Sequence, residues 1–113
     1  MLAKANRLVR ADDYRRLVRR GRKIATHHVV VYIAREPGLR PPRFGFIVAK
    51  TVGIAVRRNL VRRRLKAVSL IVLPGLPAGT DIVIRALSGS AQAEWDNLLS
   101  EISGVLSGEV MEA

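Results

Sequence analysis

The sequence predicts a single α+β domain whose helices pack on a mainly antiparallel sheet of about four strands. Segments with apolar residues at helical spacing alternate with β-branched runs bounded by turn residues, in the order α-β-β-α-β-α. A further short strand has room at residues 22–25. The chain has 113 residues, of which 49% are hydrophobic, and this suits one hydrophobic core. We therefore expect residues 1–113 to form one domain.

The amino-terminal part of the chain predicts a basic arm followed by a helix. Residues 1–10 carry three cations without a clear period, and we expect a partly mobile arm. The helix is predicted to begin at Asp12 or Asp13, where a carboxylate caps the first turn, and to end at Gly21. Four cations of this helix either contact RNA or form an ordinary solvated face. They are Arg15, Arg16, Arg19 and Arg20.

Two strands are predicted next, and we expect them to form an antiparallel hairpin. Residues 26–35 are rich in β-branched side chains and lead into a Glu-Pro-Gly turn, and residues 43–50 are predicted to be the partner strand. Alternation along the first strand predicts two faces, one with Val29, Val31 and Ile33 and the other with His28, Val30, Tyr32 and Ala34. Phe44 and Phe46 alternate along the second strand. Such rings stack bases on some RNA-binding sheets, but in a chain with few aromatic residues we favour the core for both.

A basic helix over about residues 55–73 is the feature around which the rest is organised. Gly53 breaks the preceding strand, after which apolar residues occupy one arc of a helix and cations the opposite arc. No acid lies between Glu36 and Asp81, so these like charges repel one another unless a polyanion neutralises them. The apolar arc consists of Leu60, Val61, Leu65, Val68, Ile71 and Val72. The predicted nucleic-acid face consists of Arg57, Arg58, Asn59, Arg62, Arg63 and Lys66.

The carboxyl-terminal part of the chain is predicted to complete the fold. A Pro-Gly-rich turn at residues 74–79 leads to a buried strand at residues 81–87 and a last helix at residues 91–106. The predicted hairpin, the basic helix and this strand together predict a split β-α-β arrangement. Residues 107–113 are expected to fray. Only one of the 20 Lys and Arg residues lies in residues 67–113, whose net charge is −5. One half of the chain therefore meets an anion, and the other half mainly builds the core.

The overall composition indicates a polyanionic partner and excludes several classes of site. A net charge of +11 and a pI near 11.5 are typical of nucleic-acid-binding proteins. The absence of cysteine excludes disulfides, thiolate nucleophiles and cysteine-based zinc sites. The start of the chain lacks the apolar segment of a secretory signal, and no apolar run is long enough to span a bilayer. We therefore expect a soluble intracellular protein with no membrane partner.

Residues 50–65, KTVGIAVRRNLVRRRL, resemble the signature of the protein subunit of bacterial ribonuclease P. The family pattern K-x-V-G-x-A-V-x-R-N is matched without a gap, and residues 7–14 resemble the start of the family's first helix. The chain departs from the pattern at Leu60, which replaces an arginine, and at Val18, which replaces an aromatic residue. Contacts with RNA at these two positions are therefore expected to be weaker than the family pattern implies.

The resemblance implies a fold and a function. The family has the order αβββαβα with a left-handed crossover, the opposite of the hand that the general rule for parallel strands predicts. In ribonuclease P the RNA subunit, with bound Mg²⁺, removes the 5′ leader of precursor tRNA, and the protein assists it. The resemblance therefore implies that the basic helix contacts the RNA subunit, that no other protein partner is required, and that the complex is cytoplasmic. It also implies a leader-binding cleft lined by Tyr14, Tyr32 and Lys50.

The sequence offers no catalytic chemistry of its own. No two acids have the spacing of a two-metal or acid–base pair, and no phosphate-binding glycine loop occurs. His27 and His28 point to opposite faces of a strand, so they cannot jointly bind a metal. We predict no catalytic residue and no metal ligand, with Mg²⁺ bound chiefly by the RNA subunit. A ribosomal or RNA-chaperone protein is the alternative class, and a duplex-DNA-binding protein is a third.

Overall fold

Three α-helices and four β-strands follow one another in the order αβββαβα, as the resemblance implied. The computed structural model describes residues 2–36 and 38–112, the last four of them by backbone alone. The elements are α1 (Ala11–Arg20), β1 (Arg22–Ala25), β2 (Val29–Arg35), β3 (Arg43–Ile47), α2 (Ala55–Val72), β4 (Thr80–Ala86) and α3 (Trp95–Glu112). Short 3₁₀ turns lie at Lys4–Asn6, Lys50–Val52, Leu73–Gly75 and Ser90–Gln92.

The four strands form one mixed sheet in the order β1-β2-β4-β3. β2 pairs antiparallel with both β1 and β4, whereas β3 pairs parallel with β4 and places Phe46 opposite Ile84. The predicted hairpin of β2 and β3 is therefore wrong, because β4 lies between them. Every residue of β4 except Arg85 is buried, as expected for a strand at the centre of a sheet whose two faces are covered by helices.

The segment β3–α2–β4 is a βαβ unit whose two parallel strands are direct neighbours. No strand separates them, in contrast to the split arrangement that we expected from the sequence. The left hand of the crossover through α2 stays a prediction taken from the resemblance.

One face of the sheet packs against α2 and α3 and holds the main core. The predicted alternation along β2 is confirmed, since Val29, Val31 and Ile33 all contribute to this cluster. Burial of each such side chain stabilises the fold by about 1.5–3 kcal/mol. The helices contribute Val61, Leu65 and Val68 from α2, and Leu98, Ile102 and Leu106 from α3.

The opposite face of the sheet is covered by α1. Leu17, which is fully buried, packs with Val30, Tyr32 and Val83 in a second apolar cluster. The three strand residues of this cluster alternate along β2 and β4 with the residues of the main core, as the period of two in the sequence predicted. Gly21 ends α1, as predicted, and its amide donates to the carbonyl of Leu17 (2.8 Å).

The amino-terminal segment, residues 2–10, lies against the edge of β3 and does not extend as the mobile arm that we expected. The amide of Leu8 donates to the carbonyl of Phe44 (2.8 Å), and the side-chain amide of Asn6 donates to the carbonyl of Pro42 (2.8 Å). Leu2 and Leu8 are buried. The two leucines anchor this segment because each removes a large apolar side chain from water.

Two boundaries differ from the sequence prediction. α1 begins at Ala11, and neither Asp12 nor Asp13 caps its start with a side-chain hydrogen bond. Both acids lie in the first turn, where their negative charge stabilises the positive end of the helix dipole. β3 ends at Ile47, and Lys50 belongs to the following 3₁₀ turn. The strand ends before Lys50 because the chain turns at Lys50–Val52 to begin α2.

The start of α3 is also later than predicted. It begins at Trp95 because residues 90–92 form a separate 3₁₀ turn. The helix is described as far as Glu112. The predicted fraying of residues 107–113 falls partly outside the described residues and stays a prediction.

A buried carboxylate at the start of β4 ties three parts of the fold together. Asp81 is 1% exposed and accepts hydrogen bonds from Arg16 of α1 (2.8 Å), from Arg40 of the β2–β3 connection (2.6 Å) and from Arg43 of β3 (2.9 Å at each oxygen). Burial alone would raise the pKa of Asp81, but the hydrogen bonds from the three guanidinium groups outweigh it and lower the pKa to about 2. Asp81 is therefore ionised at neutral pH and holds α1 on the sheet.

A second polar cluster joins the β1–β2 connection to α3. The carboxylate of Glu101 accepts hydrogen bonds from the amide of His28 (2.7 Å) and the hydroxyl of Thr26 (2.7 Å), and it contacts Nδ1 of His28 (2.6 Å). Burial acts to raise the pKa of Glu101, but the bonds from His28 and Thr26 outweigh it and lower the pKa. His28 thus has a structural role. Both histidines lie in the connection between β1 and β2 and their rings stack with centroids 4.4 Å apart, so the prediction that they point to opposite faces of a strand is wrong.

Replacing Asp81 should destabilise the fold and change its acid sensitivity. Because the pKa of Asp81 lies near 2 in the folded state and near 3.8 when unperturbed, its contribution is complete above about pH 4 and is lost as the pH falls towards 2. The difference between these two pKa values corresponds to roughly 2–3 kcal/mol of unfolding free energy. Urea unfolding of Asp81→Asn at pH 7 should show at least this loss, with a smaller decrease than wild type between pH 4 and 2. Equal stability of the two proteins at pH 7 would contradict this role.

Candidate nucleic-acid interface

The cationic face of α2 is positioned by the turn before the helix and by the core beneath it. Gly53 has φ of 149°, a conformation that side-chain-bearing residues rarely adopt, and it lets the chain leave the 3₁₀ turn and begin α2 at Ala55. Val61, Leu65 and Val68 then anchor one side of the helix in the core. The residues on the remaining surface are held on a rigid element.

The predicted RNA-binding residues lie on the solvent side of this helix, but their side chains are exposed to different extents. Arg57, Arg63 and Lys66 are exposed, as is Asn59. Two more are half-buried: Arg58 and Arg62. The Nε atom of Arg58 is buried and has no hydrogen-bond partner within the described residues, so part of this side chain packs against the protein. The structure thus brings all six predicted residues onto one helix, with Arg58 and Arg62 less exposed than the other four.

No Lys or Arg of α2 is ion-paired to a carboxylate within the part of the chain that the structure describes. The partners of these cations are neutral. Arg62 donates to Oδ1 of Asn59 (3.3 Å), and Arg57 donates to the side-chain oxygen of Gln92 (3.0 Å) when that amide is oriented to satisfy both groups. Arg64 donates to the carbonyl of Ala93 (2.9 Å) and so ties α2 to the segment before α3. The positive potential of α2 is therefore not compensated internally.

Two of the four cations of α1, unlike those of α2, form ion pairs with carboxylates. Arg15 pairs with Asp12 of the same helix. Arg16 belongs to the Asp81 cluster, and its hydrogen bond to Asp81 raises its pKa further. The sequence predicts Arg16 as a possible RNA contact, and in the structure its guanidinium donates to Asp81. Arg19 and Arg20 are exposed at the end of α1.

The three residues assigned to a leader cleft are not equivalent. Tyr32 is 3% exposed, buried under α1, and cannot offer a ring face to a base. Tyr14 is half-buried, and its hydroxyl donates to the carbonyl of Leu8 (3.3 Å) and accepts from the amide of Phe46 (3.2 Å). Lys50 is exposed in the turn before α2. Sequence alternation placed Tyr32 on the correct face, but it could not show that α1 covers that position.

A groove that the sequence did not predict lies between the amino-terminal segment, β3 and α2; we call it the amino-terminal groove. Its volume is about 790 Å³. Ile71, which we expected in the core, is instead 56% exposed, and Leu70 is 43% exposed. Phe44 is buried, as predicted, whereas Phe46 is only half-buried and faces the groove. The groove is lined by Leu2, Arg7, Leu8, Val9, Tyr14, Phe44, Phe46, Arg62, Arg63, Lys66, Ala67, Leu70, Ile71 and Trp95.

Two other kinds of site are absent from the described residues. None of their helices is long and apolar enough to span a membrane. No three His, Cys, Asp or Glu side chains come together there as a metal-binding group.

Comparison with known proteins identifies a family that covers almost the whole chain. The family described as Ribonuclease P matches residues 2–108. A "Ribonuclease P protein component" of Clavibacter michiganensis subsp. michiganensis is 50% identical over 110 residues, which span 97% of each chain. One from Arthrobacter sp. is 42% identical and covers 94% of this chain and 78% of the relative.

Solved structures show the same fold. The Staphylococcus aureus RNase P protein superimposes with a TM-score of 0.81 at 25% identity, covering 92% of this chain and 94% of the other. The RNase P protein from Thermotoga maritima gives a TM-score of 0.77 at 20% identity, covering 88% and 94%. The second likeness shows the fold alone.

Gly45 should be required for the position of Tyr14. A Cβ atom at residue 45 would lie 2.6 Å from the ring and hydroxyl of Tyr14, so Gly45→Ala should displace the ring and break both of its hydrogen bonds. We expect a loss of about 1–3 kcal/mol in unfolding free energy, as for overpacked sites. Tyr14→Phe is the matched control: it keeps the ring and should cost only about 0.5–1.5 kcal/mol. Chemical denaturation measures both, and a Gly45→Ala variant as stable as wild type would refute the close contact.

Proposed function

Because this chain belongs to the ribonuclease P protein family and serves as the protein subunit of ribonuclease P in tRNA processing, we propose that it binds the RNA subunit through the cationic face of α2. Partnership with ribonuclease P RNA follows from the family; the role of this face is our inference. Phosphate contacts fix position and orientation, and shape more than base sequence is read in structured RNA. A rigid helix with cations on one face suits this task.

The observation that carries the proposal is the absence of internal neutralisation on α2, in contrast to α1. The fold pairs Arg15 and Arg16 of α1 with its own acids, whereas within the described residues no cation of α2 has an ion pair. Mutual repulsion of these charges costs stability in the free protein. Binding to a polyanion relieves that repulsion and releases counterions, which gives a favourable and salt-dependent contribution.

We also propose that the chain contacts the 5′ leader of precursor tRNA. The support is an exposed Lys50 and a half-buried Tyr14 whose ring is held by two hydrogen bonds. Cations combined with an aromatic ring suit single-stranded RNA. Tyr32, buried beneath α1, supports the floor of this region without touching the leader. Arg19 and Arg20 extend the positive surface along α1, whereas Arg16 is held by Asp81.

Cleavage itself is assigned to the RNA subunit with its Mg²⁺. The donor set of the described residues does not fit a metal site, since no three metal-ligating side chains come together and Asp81 is saturated by guanidinium groups. By lowering phosphate repulsion, the protein reduces the amount of divalent ion that the RNA needs to hold its active conformation. We propose that the complex works in the cytoplasm and needs no further protein. A ribosomal or RNA-chaperone role, the alternative from sequence, has no support in the family match.

The chain should lower the Mg²⁺ requirement of precursor-tRNA cleavage by the ribonuclease P RNA of the same organism. Neutralised phosphates repel one another less, so fewer divalent ions are needed to hold the active RNA conformation. Cleavage rates measured across a Mg²⁺ titration at physiological salt, with and without the protein, test this directly. An identical Mg²⁺ dependence in both series would count against the proposed role.

Two exposed cations of α2 allow a clean test of the binding face. If ~6 phosphates are neutralised, log K should fall against log salt with a slope of about −4 to −5. Arg63→Ala/Lys66→Ala should make this slope shallower by roughly 1.5 and weaken binding at least tenfold. Both side chains are exposed, so thermal stability should not change.

The matched control for that pair removes the same charge elsewhere. Lys4 and Arg35 are exposed and lie outside α2. Lys4→Ala/Arg35→Ala should keep the wild-type slope within about half a unit, since it lacks the contacts made by α2. If both double variants weaken binding equally, net charge rather than the face of α2 governs the interaction.

A further inference from the structure

The amino-terminal groove combines an apolar floor with a cationic rim. Leu2, Leu8 and Phe44 form the buried part of its wall, and Phe46 and Trp95 are half-buried along it. The rim carries one cation from the amino-terminal segment and three from α2: Arg7, Arg62, Arg63 and Lys66. The exposed aliphatic side chains at its mouth are Val9, Leu70 and Ile71.

Exposed aliphatic residues on a helix whose neighbours are charged require an explanation. Val9 is 79% exposed, and it lines the groove together with Leu70 and Ile71. Contiguous apolar surface of this kind marks an interaction site in soluble proteins. A cleft of about 790 Å³ lies within the range of about 300–1,000 Å³ typical of ligand sites. At least one nucleobase with its ribose fits in this space.

The combination of charge and aromatic surface favours a nucleotide as the occupant. A base has a flat apolar face that packs on Phe46, Trp95 or the aliphatic residues, and its phosphate requires cations a few ångströms away. The rim supplies these cations, and within the described residues none of them is ion-paired. Arg7 donates Nε and Nη2 only to the carbonyl of Leu2 (2.9 and 2.7 Å), which fixes the guanidinium without neutralising it.

We propose that the amino-terminal groove binds an unpaired nucleotide of the ribonuclease P RNA subunit, its base in the apolar floor and its phosphate on Arg62, Arg63 and Lys66. The source is the RNA subunit because the rim is continuous with the α2 face assigned to that RNA. This inference therefore rests on the proposed function and adds a base contact to a surface that otherwise reads only phosphates. A second copy of the chain is a poor occupant, since two chains of charge +11 would repel one another across a cationic rim.

Trp95 provides a direct probe, because it is the only tryptophan of the chain and lies in the groove. Titration of the full chain with the RNA subunit of the same organism should quench Trp95 emission, with a midpoint equal to the binding midpoint measured by filter retention. A single-stranded leader oligonucleotide should leave the emission unchanged. Emission should also be independent of protein concentration when no RNA is present.

The apolar contacts are tested by Leu70→Ser/Ile71→Ser, compared with Leu39→Ser/Val56→Ser as a matched control. Leu39 is 97% and Val56 is 73% exposed, and neither lines the groove. The groove variant should bind the RNA subunit about tenfold more weakly, with the salt slope unchanged because the phosphate contacts persist. The control should bind as the wild type does. Far-ultraviolet circular dichroism confirms that both variants are folded.

Each alternative result has a definite meaning. If wild type binds the RNA subunit but Trp95 emission does not change and both serine variants bind equally, the groove inference is overturned and the proposed function stands. Quenching by the leader oligonucleotide, or by self-association without RNA, assigns the groove to another occupant and also overturns it. Failure of the wild-type chain to bind the RNA subunit overturns both.

Discussion

The ion cluster at Asp81 is the interaction on which both the shape and the charge distribution of this protein depend. One carboxylate, buried in the sheet, accepts hydrogen bonds from Arg16, Arg40 and Arg43. Removing one partner from such a group leaves a buried charge uncompensated, and the folded state is strongly destabilised. It fastens α1 across the sheet and uses up three cations of a strongly basic chain. Six of the cations that have no ion pair within the described residues lie together on α2.

The two halves of the chain contribute differently to the fold and to its charge. The carboxyl-terminal half supplies β4 at the centre of the sheet and α3 beneath it, so it provides much of the apolar surface that holds α2 in place. The amino-terminal half carries nearly all of the positive charge. A charged helix can remain rigid only when its opposite side is well buried, because its own cations repel one another. In this protein the burial of Val61, Leu65 and Val68 in the core therefore holds α2 in place despite the repulsion between its cations.

The groove and the α2 face form one surface with two kinds of chemistry. Cations on the outer side of α2 contact a backbone of any sequence, whereas an apolar cleft contacts only bases that are unpaired. Leu70 and Ile71 lie on the same helix as Arg63 and Lys66 and border the same groove. An RNA that offers both a folded backbone and an unpaired base is distinguished from a plain duplex by this combination.

The sequence by itself determined the elements, their order, the alternating faces of β2, the cationic side of α2 and, through residues 50–65, the family. These properties depend on local period and composition, which the chain carries at short range. Tertiary structure decided the rest. The position of β4 between β2 and β3, the burial of Tyr32 under α1, the capture of Arg16 by Asp81 and the exposure of Ile71 all depend on contacts between residues distant in sequence. A periodic pattern states which side of an element is apolar, but only the packed fold determines which neighbour, if any, covers that side.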